Sequence, residues 1–142
     1  EQAQSESTPL FLLLLDYPKF FDFIITEIIW GLASWWGMPE GIIRLLRTLY
    51  VELSSIFKFN GHFGKPWKRT NSLAQGCSFS MMLVNLPVTA WARAILHQLH
   101  PNAAGISDYV DDKVIRSPSW TVLQKLLDRT THFDRLSGQF LN

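Results

Sequence analysis

The stretch "ISDYVDDKVIR", residues 106–116, places two adjacent aspartates, Asp111 and Asp112, between two short apolar segments. The alternation on either side predicts a β-hairpin whose tip carries these aspartates. Adjacent carboxylates repel each other, and burying them without a compensating cation is costly. An exposed turn would explain the pair without any function, because Asp is a favoured turn residue. On the pair alone, the turn is the favoured interpretation.

A third carboxylate, Asp16, follows the apolar run "LFLLLL" at residues 10–15. The run is too short to cross a bilayer and predicts a buried strand from Leu10 to Asp16. A carboxylate directly after a buried strand is costly unless it has a partner. If this strand end and the hairpin tip meet at one edge of a sheet, Asp16, Asp111 and Asp112 converge. Their oxygens would then select Mg²⁺ or Mn²⁺.

The remaining chain predicts helices and a second hairpin. Apolar spacing predicts helices over residues 22–38, 39–53, 78–100 and 117–138, the third kinked by Pro87. Asp22 could cap the first helix, and Ser117 or Ser119 could open the last, which Gly138 ends. Asn60-Gly61 predicts a tight hairpin, and residues 71–77 a loop. Residues 1–9 are expected to be a loose lead-in, and residue 139 to begin another strand.

The order of these elements predicts an α+β fold, with an antiparallel sheet covered by helices on one face. The chain has 142 residues, 47% of them apolar and 18% charged, as expected for one globular domain. A single cysteine, Cys77, excludes a disulfide framework. No targeting segment is evident, so we expect an intracellular protein, nuclear or cytoplasmic, that has no membrane partner.

Basic and aromatic residues alternate in "FKFNGHFGKPWKR", residues 57–69. Basic side chains neutralise phosphates, and aromatic rings stack on bases or sugars. The net charge of +1 argues neither for nor against nucleic acid. From this stretch alone, an ordinary amphipathic hairpin with a solvated polar face is the favoured interpretation.

Four segments together resemble a known family. "LLDYPKFFD" (14–22) resembles the L-D-x-x-K-A-F-D motif of reverse transcriptases of the non-LTR retrotransposon type, and "QGCSFS" (75–80) resembles their Q-G-C-P-L-S motif. "YVDD" (109–112) resembles their Y-x-D-D box, and "LSGQFLN" (136–142) resembles S-G-L-x-L-N. The motifs occur in the family's order. The resemblance implies a polymerase palm, an antiparallel sheet backed by helices, with residues 1–142 forming a partial domain that includes part of the fingers and lacks the thumb.

The resemblance also implies roles for the acidic residues. Asp16 and Asp111 would hold two Mg²⁺ or Mn²⁺ ions, and Asp112 would be a nearby third carboxylate. The main-chain carbonyl of Tyr17 would join the coordination. Two such ions clamp the attacking and leaving oxygens of a phosphoryl displacement.

Further roles concern the nucleotide and the primer. The main-chain amides of Lys19, Phe20 and Phe21, with the Lys19 side chain nearby, would face the triphosphate. The Phe21 ring would lie under the sugar and exclude a ribose 2′-hydroxyl. Gln75 and Gly76 would form a loop against the nucleotide, and Tyr109 would pack near the primer end.

The implied activity is RNA-directed DNA polymerisation, with an RNA template, a DNA primer and deoxynucleoside triphosphates as partners and the missing fingers and thumb supplied by a larger polyprotein. The motifs also depart from the family: Phe20 replaces alanine, Pro18 lies inside the first motif, and Pro87 interrupts the helix after the second. A degenerate or truncated copy without polymerase activity, at most a nucleic-acid-binding remnant, is therefore the alternative. An RNA-templated RNA polymerase is less favoured, since such enzymes usually carry G-D-D.

Overall fold

The structure, a computed structural model, describes residues 9–139 and 141. The predicted lead-in over residues 1–9 and the strand expected from residue 139 lie largely outside the described residues. The described elements run in this order: β1 (Phe11–Leu15), α1 (Phe20–Phe23), α2 (Thr26–Trp35), α3 (Glu40–Glu52), β2 (Ser54–Ser55), β3 (Lys58–Phe59), β4 (His62–Phe63), β5 (Trp67–Lys68), α4 (Ser78–Leu96), β6 (Gly105–Tyr109), β7 (Asp112–Ser117) and α5 (Trp120–Ser137). This is the α+β architecture that the sequence predicts.

The main sheet has three antiparallel strands in the order β1-β7-β6. Strand β7 lies in the centre, paired with β1 on one side and with β6 on the other. Helix α5 packs on β1 and β7, and helix α4 packs between α2 and α5. The core therefore lies between one face of this sheet and the helices.

Strand β1 is where the prediction of burial is wrong. Leu15 is buried, but Leu14 beside it is 75% exposed, and Leu12 is exposed as well. Side chains alternate between the two faces of a strand, and β1 is the edge strand of a sheet covered by helices on one face. Of the apolar run, Leu15 is buried and Leu13 partly buried, and the rest is exposed.

The predicted helix over residues 22–38 is divided into α1 and α2. Ile24 and Ile25 between them are extended, with ψ angles of 122° and 108°. The Ile24 side chain is buried and its carbonyl accepts a hydrogen bond from the Ser72 amide at 3.1 Å. This bond satisfies the backbone where the helix stops. Asp22 lies inside α1 and does not cap it; its carboxylate lies 3.7 Å from Arg69.

Three of the local signals at turns and helix ends are confirmed. Asn60 and Gly61 have φ angles of 47° and 80° and join β3 to β4, as the turn signal predicts. The Ser119 hydroxyl accepts a hydrogen bond from the Val122 amide, so Ser119 caps α5. Gly138 ends α5 with a φ of 77°.

Helix α4 contains Pro87 and ends at Leu96, four residues before the predicted end at residue 100. By length and composition alone this helix could cross a membrane, and it alone among the described residues meets that criterion. A core helix meets it equally. The side chains of Leu83, Val84 and Trp91 are fully buried in the core, whereas Met81 and Met82 are exposed.

Candidate functional site

The end of β1 and the tip of the β6–β7 hairpin lie at the same end of the sheet. Leu15 pairs with Lys113, so the next residue, Asp16, lies level with Asp112. Tyr109 pairs with Asp112, which leaves Val110 and Asp111 as the turn. The predicted convergence of the two chain segments is therefore present, although only Asp111 lies in the turn itself, because Asp112 begins β7.

The acidic side chains are not gathered into a ligand group. Asp16 and Asp112 are exposed, and Asp111 is partly buried. Within residues 9–139 and 141, no group of three or more His, Cys, Asp or Glu side chains could hold a metal ion. Carboxylate oxygens are the donors that Mg²⁺ prefers, so the chemistry of the donors fits the ion. The backbone brings the acidic positions together, and the side chains are not arranged around a common centre.

The hairpin tip contains a strained residue. Val110 has a φ of 61°, a conformation that β-branched residues rarely adopt. Such a conformation costs about 1–3 kcal/mol and persists only when the surroundings enforce it. The Val110 side chain is buried in the hydrophobic core. Packing of this valine therefore fixes the turn that presents Asp111.

The segment after β1 also has a left-handed residue. Lys19 has a φ of 52° and an exposed side chain. Phe20, next to it, is buried, and its ring lies edge-on to the Tyr17 ring with 5.5 Å between the ring centres. The large ring at this position therefore points into the core and leaves the outer surface of the segment open.

The first and second motifs are joined through their backbones. The Leu73 amide donates to the Phe21 carbonyl at 3.0 Å, which ties α1 to the loop ahead of α4. Phe21 itself is partly buried, and Gln75 and Gly76 are exposed. Gly76 has a φ of 80°, so a glycine is favoured at this turn. The structure thus joins the Phe21 main chain to the segment that precedes Gln75 and Gly76.

Hydrogen bonds hold the base of this loop. The Ser80 hydroxyl donates to the Ala74 carbonyl at 2.6 Å and lies 2.6 Å from the Tyr50 hydroxyl. Burial raises the pKa of Tyr50 to about 12, so the phenol keeps its proton and can donate. Helix α3 thereby supports the second motif.

A buried cation under the hairpin was missed by sequence reasoning. Lys113 is 3% exposed, and its Nζ lies 3.8 Å from the ring centre of Tyr17, 4.7 Å from that of Trp91 and 4.9 Å from that of Phe20. The negative faces of aromatic rings attract a cation, and more strongly where water is excluded. Lys113 follows Asp112 directly, so this cation lies beneath the acidic tip.

A carboxylate faces the same cluster. The Tyr17 hydroxyl donates to both carboxylate oxygens of Asp134, at 3.0 and 3.2 Å, and Asp134 is buried. Burial lowers the pKa of Lys113 to about 8, although the charges of Asp134, Asp108 and Asp111 act in the opposite direction. Burial likewise raises the pKa of Asp134, which the hydrogen bond from Tyr17 and the charge of Lys113 only partly offset.

The pattern of the sequence does contain a signal for this cluster. Lys113 has the same strand parity as Ile115 and Ser117, which are buried on β7. Asp134 follows Thr130 by four residues on α5, in the stripe that the core covers. Charged residues are almost never fully buried unless they are paired. From the sequence alone, the charges of Lys113 and Asp134 therefore argue for exposure more strongly than their positions argue for burial.

Tyr109, the predicted primer contact, is 74% exposed at the end of β6. Its position next to the turn leaves its ring available to a ligand. The primer-contact role stays a prediction, as do the roles of Lys19, Phe21, Gln75 and Gly76.

Comparison with solved structures identifies the fold. Telomerase from Candida albicans in complex with a TWJ fragment of telomeric RNA superposes with a TM-score of 0.79 at 13% identity, over 99% of this chain and 27% of that chain. Apo telomerase from Candida tropicalis, truncated from its C-terminal domain, superposes with a TM-score of 0.77 at 17% identity, over 99% of this chain and 31% of that chain. Telomerase from Candida tropicalis in complex with a TWJ fragment of telomeric RNA superposes with a TM-score of 0.76 at 13% identity, over 99% of this chain and 26% of that chain.

These likenesses show the fold of a segment of telomerase, a reverse transcriptase. The chain spans between about a quarter and a third of the telomerase chains that it matches. No protein-family model matches the sequence. No curated protein matches it either. The likeness therefore shows a fold shared with a segment of telomerase, and the non-LTR type stays a prediction.

Proposed function

We propose that this chain is the palm part of an RNA-directed DNA polymerase, in which Asp16 and Asp111 hold Mg²⁺ or Mn²⁺, Asp112 lies nearby as a third carboxylate and the Tyr17 carbonyl completes the set. The β1–β7 register carries the proposal, because it sets Asp16 level with Asp112 at the hairpin tip. A fold shared with part of telomerase supports the class of enzyme.

The nucleotide would lie between the first and second motifs. Lys19 and the main chain to Phe21 would face the triphosphate, and Gln75 and Gly76 the other side of the nucleotide. The hydrogen bond between the Leu73 amide and the Phe21 carbonyl supports this arrangement, since it holds the two segments together. Phe21 would then exclude ribonucleotides by occupying the space of the 2′-hydroxyl.

The chemistry is nucleotidyl transfer from a deoxynucleoside triphosphate to a primer 3′ end. When bound, the divalent ions supply the charge that promotes deprotonation of the primer hydroxyl and offsets that of the departing pyrophosphate. The residues of this chain bind and orient the reactants. Lys113 beneath the tip places a positive charge close enough to act on Asp111.

The proposed partners are an RNA template and a DNA primer. Two of the similar telomerase structures contain a fragment of telomeric RNA, which supports RNA as one of them. We further propose that residues 1–142 form a partial domain that includes part of the fingers, and that the thumb and the other fingers elements come from a larger polyprotein.

A degenerate copy without polymerase activity is the second candidate. Pro18 within the first motif and Pro87 in the helix after the second favour it. Phe20 does not favour it, because its ring lies in the core.

The test is primer extension on an RNA template with Mg²⁺ or Mn²⁺, using the parent chain and the Asp111→Asn variant. Asp108→Asn is the matched control, since Asp108 is an exposed carboxylate on the same hairpin. We expect extension by the parent and by Asp108→Asn, and none by Asp111→Asn. Equal extension by all three would refute the site, and no extension by any of them would favour the degenerate copy.

The same assay tests the sugar gate. Phe21→Ala should admit ribonucleotides, and unchanged sugar selection would remove Phe21 from that role. Phe23→Ala is the control, because Phe23 is an exposed phenylalanine of the same helix.

A further inference from the structure

The segment from residue 54 to residue 69 displays aromatic rings to solvent. It comprises two short antiparallel pairs, β2 with β5 and β3 with β4, and we call it the basic aromatic ribbon. Phe57, Phe59 and Phe63 are between 70% and 78% exposed, and Trp67 is 40% exposed. Large apolar side chains that cluster on a surface mark a site of interaction.

Three of these four rings already contact another ring or a cation. The Phe57 and Trp67 rings are stacked, with 5.9 Å between their centres and 19° between their planes. The Arg69 guanidinium lies 5.5 Å from the Trp67 ring centre, and the Lys58 Nζ lies 5.5 Å from that of Phe63. The ribbon therefore offers flat surfaces bordered by positive charge.

The ribbon is the basic part of a nearly neutral chain. Residues 54–69 contain Lys58, Lys65, Lys68 and Arg69 and no acidic residue, whereas the net charge of the whole chain is +1. Outside the ribbon, Glu52 pairs with Lys68 at 3.1 Å and Asp22 lies 3.7 Å from Arg69. Within the described part of the chain, Lys58 and Lys65 have no ion-pair partner. Two lysines are thus available to an anionic ligand.

The backbone of the ribbon is preformed. Asn60 and Gly61 make the turn with positive φ angles, and the Gly64 amide donates to the Phe57 carbonyl at 2.8 Å. A surface whose shape is fixed before binding loses little conformational entropy when a ligand arrives.

We propose that the basic aromatic ribbon binds single-stranded RNA, with bases stacking on its exposed rings and phosphates contacting Lys58 and Lys65. Unpaired bases expose the faces that stack on aromatic rings, whereas bases in a duplex do not. The cores of protein–protein interfaces are depleted of charged residues such as lysine, so lysines between the rings favour an anionic ligand over a protein. The choice of RNA over DNA rests on the proposed function, and the choice of a single strand does not.

The binding test uses the full chain, a fluorescein-labelled 12-mer of uridine and EDTA in the buffer, with fluorescence anisotropy as the readout. EDTA removes the metal chemistry, so failure here is distinguishable from failure of the polymerase site. Phe59→Ala and Phe63→Ala should each weaken binding by at least about fivefold, the value of one lost stacking contact. Trp35→Ala is the control, since Trp35 is an exposed aromatic outside the ribbon, and it should bind like the parent.

The salt dependence tests the lysines. Each phosphate contact contributes about 0.7 to the slope of log affinity against log salt for a single strand. Lys58→Ala with Lys65→Ala should therefore reduce the slope by about 1.4. Lys125→Ala, on the exposed side of α5, should leave the slope unchanged.

Several outcomes would overturn the proposal. They are absence of uridine 12-mer binding, ribbon variants that bind as tightly as the parent, and tighter binding of a duplex than of the single strand. Preferential binding of a thymidine 12-mer would overturn RNA as the occupant. Circular dichroism of each variant confirms that it is folded, as expected for side chains this exposed.

Discussion

Cations face aromatic rings in two regions of the molecule, the core beneath the hairpin tip and the basic aromatic ribbon. In the core, the Lys113 Nζ lies 3.8 Å from the ring centre of Tyr17 and is excluded from water. On the ribbon, the Lys58 Nζ lies 5.5 Å from the ring centre of Phe63, and both side chains are exposed. The two contacts have the same chemistry and different surroundings.

Burial decides what each contact does. Removing an ammonium from water is costly, which is why the pKa of Lys113 falls and why aromatic rings and Asp134 surround it. The exposed contact costs little to form and contributes little to stability, so its groups remain available to a ligand. The core cluster is thus expected to act on stability, and the ribbon on binding.

The largest difference in stability between the two regions is expected when one aromatic ring is removed from each. Trp91 is fully buried, contacts Lys113 and donates to Thr130 at 3.2 Å. Trp91→Ala should lower the free energy of unfolding by about 3–5 kcal/mol. Phe63→Ala should change it by less than about 0.5 kcal/mol. Urea denaturation measures both, and similar losses would contradict the contrast.

A smaller effect is expected from the carboxylate of the core cluster. Asp134→Asn keeps an acceptor for the Tyr17 hydroxyl and removes the charge that compensates Lys113. We expect a loss of about 1–3 kcal/mol in the free energy of unfolding. Asp128→Asn, on the exposed side of the same helix, is the control and should be close to neutral. A neutral Asp134→Asn would show that Lys113 does not depend on this charge.

The pH dependence of stability tests the burial of Lys113. Burial lowers the pKa of Lys113 from its ordinary 10.5 to about 8 in the folded chain. Between these values the unfolded chain binds more protons, so the free energy of unfolding rises with pH. In Lys113→Met this contribution is absent. The free energy of unfolding of the parent, minus that of Lys113→Met, should therefore rise with pH between these two pKa values, by up to about 1.4 kcal/mol per pH unit. Parallel pH curves would contradict a buried lysine.

An effect smaller than that of Asp134→Asn is expected from an ion pair at the edge of the ribbon. Lys68 and Glu52 lie 3.1 Å apart, and more than half of each side chain is exposed. Glu52→Gln should cost less than about 1 kcal/mol, and less still at high salt, because solvent screens such pairs. Thermal denaturation at low and high salt measures this, and a loss as large as that of Asp134→Asn would remove the distinction between the regions.

The features that the sequence predicts correctly are those set by neighbouring residues. The Asn60-Gly61 turn needs two positive φ angles, and the cap at Ser119 needs one hydroxyl beside the first turn of α5. Partners distant in sequence decide the features that it misses. The break at Ile24 depends on a hydrogen bond from Ser72, and the burial of Lys113 depends on three rings from two other segments.

The candidate site departs from this division in one respect, because its two segments are distant in sequence and their meeting was still predicted correctly. The sequence predicts that the end of β1 and the hairpin tip converge, and the register confirms it. The arrangement of the carboxylates around an ion is set by side-chain rotamers and by the ion itself, which no local pattern encodes.

The most direct test is a Mn²⁺ titration of the parent chain and of the double variant Asp16→Asn/Asp111→Asn, followed by electron paramagnetic resonance of the free ion. We expect the parent and the Asp108→Asn control to bind Mn²⁺ and the double variant to have lost that binding. Equal binding of Mn²⁺ by all three chains would contradict Asp16 and Asp111 as the metal ligands.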